Sequence, residues 1–181
     1  VAGDAELGRA FCELINPIRW PEGGVSAQAV REVRMLKARM ESERLPRGAD
    51  PKTHFKLGLG GLSDVEWTAQ LIQLRHGYEI EGLRTTGTLA ALSAAGRAGL
   101  IPSADVETMT QAWCFASSLR NASVLWRGRP VDALPSDLQD ADGIGRIVGR
   151  KAGEGDELAE TYRRLARRAR TAVDLHFYES P

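Results

Sequence analysis

An all-α domain is what this chain of 181 residues predicts, and three observations carry the prediction. Apolar residues recur at spacings of three and four through most of its length. Almost nothing alternates with period two, and Gly or Pro punctuates the periodic segments about once per helix. Together they predict a single domain over residues 1–181, a bundle of about five or six main helices with short connections. A hydrophobic content of 43% suffices for one substantial core.

Each element follows from local chemistry. Asp4 is placed to cap a first helix over 5–15, which Asn16-Pro17 should end. A turn at Pro21-Glu22-Gly23-Gly24 follows. Ser26 opens a second helix to about Leu45, with Val30, Val33, Leu36 and Met40 along one face, and Pro46 stops it. Residues 46–61 read as a polar, glycine-rich connection holding His54, Phe55 and Lys56, long enough to suggest a functional loop. From Ser63 to His76 the chain is apolar on more than one side (Val65, Trp67, Ala69, Leu71, Ile72, Leu74), the mark of a central buried helix closed by Gly77. Thr85, Thr86 or Thr88 caps the next, which Gly99 ends, and Pro102-Ser103 starts a long helix to about Trp126. Residues 128–155 read as a loosely structured connection with two short helical pieces, near 136–139 and 144–150. The last helix, 156 to about 178, carries Leu158, Tyr162, Leu165, Ala169, Ala172 and His176 as a packing seam.

The most informative segment is Lys56-Leu57-Gly58-Leu59-Gly60-Gly61-Leu62-Ser63-Asp64-Val65-Glu66-Trp67. Three glycines in four positions mark backbone held close to something or turned through positive φ. Ser63 and Glu66 have the spacing of a capping box, so the N–H groups of a helix start should face the glycine loop and suit an anion. Lys56 adds a cation, while Asp64 and Glu66 add carboxylates, a mixture suited to a nucleotide with bound metal. Against this stands a plain reading, a glycine turn feeding a capped helix. Neither a dinucleotide fingerprint nor a P-loop fits.

The same residues resemble the Lys-Leu-Gly-x-Gly-Gly-Ile/Leu-x-Asp-Ile/Val-Glu-Phe/Trp stretch of the bifunctional glutamine synthetase adenylyltransferases. The similarity continues through Gln70-Leu71-Ile72-Gln73-Leu74-Arg75-His76-Gly77 and Leu83-Arg84-Thr85-Thr86, and more weakly past residue 130. Enzymes of that family pair polymerase-β-like nucleotidyltransferase domains with helical domains in two similar halves. One half attaches AMP to a tyrosine of glutamine synthetase and the other removes it. The resemblance implies the helical part of the adenylylating half, since Ser63-Asp64-Val65-Glu66 has an acid two positions before the Glu. It implies ATP and Mg2+ as cofactors of the full-length enzyme. Glutamine synthetase, the chain's own nucleotidyltransferase domain and the PII signal protein are the implied partners, in the cytoplasm, with regulation of nitrogen assimilation as the outcome. Lys56, Gly58, Gly60, Gly61, Asp64 and Glu66 are the candidate nucleotide-contacting residues, with Lys56 as cation and the Gly60 and Gly61 N–H groups as donors. A helical domain of a PII uridylyltransferase, or a protein-recognition module docking glutamine synthetase or PII, is the alternative.

The family's chemistry needs a Gly-Ser turn followed by aspartates holding two magnesium ions, and no such motif occurs in this sequence. Asp64 and Glu66, two residues apart on a helix, point about 200° apart and are poor joint ligands. This chain alone is therefore expected to be catalytically silent. A start at Val1 without methionine and an ending after an Arg-rich helix fit a C-terminal piece of a larger protein.

Lys plus Arg equals Asp plus Glu at 24 each, so no global charge argues for nucleic acid or an anionic membrane. Cys12 and Cys114, far apart and in apolar contexts, are expected as reduced core thiols. His54, His76 and His176 lack ligand spacing. Trp20, Trp67, Trp113 and Trp126 are expected in packing. Arg163, Arg164, Arg167, Arg168 and Arg170 form a stripe that is either a solvated face paired with Glu157 and Glu160 or a surface for phosphates or an acidic partner.

Overall fold

The computed structural model describes residues 3–179; Val1, Ala2, Ser180 and Pro181 lie outside them. The all-α expectation is borne out, with seven α-helices among the described residues where five or six main ones were expected. Among the described residues, β structure is limited to one isolated bridge, His54 to Ala133.

Helix α1 is Ala5–Arg19, and the Asp4 carboxylate accepts from the Glu6 and Leu7 N–H groups at 2.8 and 3.0 Å, the expected cap. The helix runs past Pro17, where an end was expected. A proline so close to the terminus removes a single ladder bond, and the Trp20 N–H closes the last turn on the Asn16 carbonyl at 2.8 Å. Helix α2 is Ala27–Glu43, capped by the Ser26 hydroxyl at 3.2 Å from the Ala29 N–H. Its buried face differs from the expected one: Val30 is buried, but Leu36 is 50% exposed while Lys37 is only 3% exposed. Hydrophobic periodicity misplaces this face because a charged residue occupies it.

Helix α3, Leu62–His76, is the central helix as expected, with Val65, Ala69, Leu71 and Ile72 buried. Gly77 follows it in ordinary right-handed backbone. Its role is steric, since a Cβ there would lie 2.5 Å from both the Gln73 carbonyl and the Trp20 ring. A 3-10 turn over Glu81–Leu83 leads to α4, Thr88–Arg97, whose N-cap is Gly87 rather than a threonine. Thr85 instead accepts from the Gly87 N–H at 3.1 Å. Helix α5, Ser103–Arg127, ends close to the expected Trp126, in a glycine stop at Gly128 with φ 65°.

Residues 128–155 are more regular than expected. They hold one ten-residue helix, α6 over Leu138–Ile147, capped by Asp137 and packed on α5 and α7. Gly143, which reads as a loop signal in the sequence, sits under the Trp126 ring, where a Cβ would come within 2.5 Å of it. Helix α7 is Gly155–Val173 and continues as a π-helical stretch over Asp174–Glu179. The expected seam is buried at Leu158, Tyr162, Ala169 and Ala172. Ala166 rather than Leu165 completes it, and the wider terminal turn buries Phe177 instead of His176, which pairs with Asp105 at 2.8 Å.

Two clusters form the core. One surrounds α3 with Val65, Leu71, Leu92, Met109, Val173 and Phe177. The other joins Phe55, Leu119, Ile144, Leu158 and Tyr162. Helices α5 and α7 run through both and pack on each other more extensively than any other pair. Cys12 and Cys114 are free but exposed, not core thiols: α1 has no buried residue at all, and Cys114 is at an exposed position of α5. No helix among the described residues is long and apolar enough to cross a membrane.

Candidate functional site at the glycine loop

The loop preceding α3 is closed on itself. The Gly58 N–H donates to the His54 carbonyl at 3.0 Å, and the Leu59 N–H to the Pro51 carbonyl at 3.1 Å. Residues 53–55 are tied to the chain after α5, with the Phe55 N–H on the Asp132 carbonyl at 2.6 Å and the Leu134 N–H on the Thr53 carbonyl at 2.9 Å. His54 is the hinge of this arrangement. Its Nδ1 accepts from the Lys56 and Leu57 N–H groups at 3.3 and 3.1 Å, and its carbonyl accepts from the Tyr162 hydroxyl at 3.0 Å. Burial, reinforced by Arg120 and Lys56 against Asp132, holds His54 below the ordinary histidine range. The neutral ring that Nδ1 acceptance requires is thereby favoured.

The N-terminus of α3 does not have the expected capping box. Gly61 is the N-cap and Ser63 lies buried inside the helix. The first helical N–H groups meet loop carbonyls, Leu62 to Phe55 at 2.8 Å and Ser63 to Lys56 at 3.0 Å. The two glycine donors expected to face a phosphate are also used internally. The Gly61 N–H reaches the Gly58 carbonyl at 2.9 Å, and the Gly60 N–H reaches the Asp64 carboxylate at 2.7 Å. The anion at this helix start is thus the protein's own, a side chain of the first turn folding back onto the loop.

Why the loop needs glycine is clear at two positions. Gly60 has φ 70°, and a Cβ there would lie 1.9 Å from the Ala166 carbonyl of α7. At Gly58 a Cβ would lie 2.3 Å from the His54 carbonyl. The glycines let the loop lie directly against α7 and fold tightly on itself.

Asp64 is 1% exposed and anchors a buried charge network. Its Oδ1 accepts from Lys37 Nζ of α2 at 2.5 Å, and its Oδ2 from Arg170 Nη1 of α7 at 3.0 Å. Glu41 joins both cations, at 2.7 Å from Lys37 and 2.9 Å from Arg170, and accepts from the Tyr178 hydroxyl at 3.1 Å. Arg170 Nε also pairs with Asp174 at 2.8 Å. Burial opposes the charge on Arg170, but Asp64 and Glu41 outweigh it and hold the guanidinium above its ordinary range. Burial likewise opposes ionisation of Glu41, and Lys37 and Arg170 outweigh it, keeping the carboxyl below its usual range. Three helices are locked at this point by ions that are costly to separate.

Of the six candidate residues, the structure brings Gly58, Gly60, Gly61 and Asp64 into one buried unit. Lys56 is exposed on the outer side of the loop. Glu66 faces elsewhere, accepting from Trp113 Nε1 at 3.4 Å, so the two carboxylates do not converge. Sequence reasoning missed Lys37 and Arg170 as partners of Asp64, and Glu41 as the second carboxylate that shares them. The i, i+4 pair Lys37–Glu41 was the available signal.

The fold and the site together define a class, all-α helical bundles with an acid-anchored glycine loop. Residues 31–179 match the family described as GlnD PII-uridylyltransferase, and the chain belongs to that family. Its similar proteins include the "bifunctional glutamine synthetase adenylyltransferase/adenylyl-removing enzyme" of Streptomyces coelicolor, 60% identical over 178 residues, which is 98% of this chain and 18% of that protein. The protein of the same name from Mycolicibacterium smegmatis is 50% identical over 173 residues, 96% of this chain and 17% of the relative. That of Nocardia farcinica is 48% identical over 178 residues, again 98% and 18%. The resemblance read from the sequence is borne out by these names, and the chain spans less than one fifth of the length of these curated relatives.

Proposed function

We propose that this chain is the helical domain of the adenylylating half of an enzyme that transfers AMP from ATP to a tyrosine of glutamine synthetase. The observation that carries the reading is the 60% identity over 98% of the chain to a relative named for that activity. The domain's share of the work is architectural. ATP and Mg2+ belong to a nucleotidyltransferase domain elsewhere in the enzyme, and the isolated chain transfers no AMP. Glutamine synthetase is the substrate protein, PII a regulatory partner, and the cytoplasm the compartment.

Within this reading the glycine loop touches nucleotide through Lys56, the exposed cation at its edge. Gly58, Gly60, Gly61 and Asp64 shape and brace the loop behind it, and Glu66, turned toward Trp113, takes no part in it. The surface that fits the missing domain is α1, where Leu7, Phe11, Leu14 and Ile18 stand 57–79% exposed on one face. In the full-length enzyme, Lys56→Ala should raise the ATP concentration needed for half-maximal adenylylation. Unchanged ATP dependence with full activity would remove Lys56 from the site.

A second reading has its own support, the PII-uridylyltransferase description of the family matched over residues 31–179. Assaying the full-length enzyme for UMP transfer to PII and AMP transfer to glutamine synthetase separates the two.

A further inference from the structure

A second feature beside the glycine loop is unexplained by the charge network. Lys52, Leu59, Arg163, Ala166, Arg167 and Arg170 line a cavity of about 240 Å3 between the loop and α7. Its lining holds four cations and no carboxylate. On α7 the arginines recur at i, i+4 and i+7, so they stack on one face. Only Arg170 is neutralised in the interior, by Glu41, Asp64 and Asp174. Arg167 has one partner, Glu160 at 3.0 Å, in a pair more than half exposed on both sides and therefore weak. The side chains of Lys52 and Arg163 form no ion pair among the described residues, although the Lys52 backbone N–H donates to Asp50 Oδ1 at 2.8 Å.

We infer that this cavity binds the polyphosphate group of a small molecule. Guanidinium forks match phosphate oxygens in pairs, and those of Arg163 and Arg167 line this cavity together with Lys52, while Arg170 is held by its carboxylates. At this volume the cavity falls below the usual range for a whole drug-sized ligand, roughly 300–1,000 Å3, and fits a phosphate chain instead. The wall is pre-formed. Gly60 lies directly against the Ala166 backbone, and Tyr162, one turn away on α7, is bonded to the His54 carbonyl. No loop closure is needed before binding, which lowers the ordering cost. Leu59, 41% exposed, offers an apolar surface at the rim on which a nucleoside can rest. The site is complete within this chain and does not depend on the enzyme assignment.

The test is calorimetric titration of this chain, without magnesium, with tripolyphosphate and separately with ATP. Binding should weaken on the order of tenfold or more in Arg163→Ala/Arg167→Ala, as expected for losing two charge-assisted hydrogen bonds. It should be restored in part by Arg163→Lys/Arg167→Lys and stay unchanged in the exposed control Arg129→Ala. Equal affinity for both ligands assigns the site to the phosphate chain alone, and tighter ATP binding that Leu59→Ser abolishes assigns it to a nucleotide. Absence of binding by the parent chain, binding insensitive to the arginine pair, or equal binding of a polyglutamate peptide would each overturn the inference.

Discussion

Helices α1 and α7 carry the same pattern and meet opposite fates. Leu7, Phe11, Leu14 and Ile18 follow spacings of four, three and four, as do Leu158, Tyr162, Leu165 and Ala169. In α7, Leu158, Tyr162 and Ala169 are at most 2% exposed, whereas α1 has no buried residue and its four apolar side chains are all at least 57% exposed. Periodicity reports that a helix has a face to hide. It does not report where the partner is. For α7 the partners are α5, α6 and the glycine loop within this chain. For α1 no covering element exists among the described residues.

The contrast makes graded predictions. Asp64→Ala leaves Lys37 buried without its closest carboxylate and should cost about 3–5 kcal/mol in chemical denaturation, the largest effect at any one residue of the α7 attachment. Leu158→Ala, which empties a fully buried site on α7, should cost about 2–5 kcal/mol. A smaller effect comes from pH. The folded state holds His54 and His76 below the ordinary histidine range, chiefly through burial, so the unfolded chain binds more protons. Stability should therefore be full above about pH 6.5 and decline as pH falls through and below it. His54→Asn, with an oxygen in place of Nδ1 as acceptor, should flatten part of that decline in thermal melts. Smallest of all, Leu14→Ser on α1 should change stability by less than about 0.5 kcal/mol. A loss comparable to that of Leu158→Ala would mean that α1 packs on this chain after all.

How much of this was legible in the sequence depends on the kind of interaction. The helices and most of their ends were, because caps and glycine stops are local: Asp4, Ser26 and Gly99 act where their residue types predict. Helix α6 was not, because Gly143 reads as a turn until the Trp126 ring is seen lying against it. The α2 face was misplaced by one position at Lys37, since burial of a lysine depends on Asp64, 27 residues away. The glycine segment was legible as a special backbone site but not as a closed one. Its donors are taken by Asp64, Gly58 and loop carbonyls, pairings set by tertiary folding rather than by the motif. Arg163, Arg167 and Lys52 were visible only as charges until α7 and the loop brought them around one cavity.

Hydrogen–deuterium exchange of residues 5–19, compared between this chain and the full-length enzyme proposed above, tests the difference between the two helices most directly. The amides of α1 should be weakly protected in this chain and gain protection in the longer protein, while those of α7 stay protected in both. Protection of α1 that is the same in the two proteins would contradict its assignment as the surface that docks the rest of the enzyme.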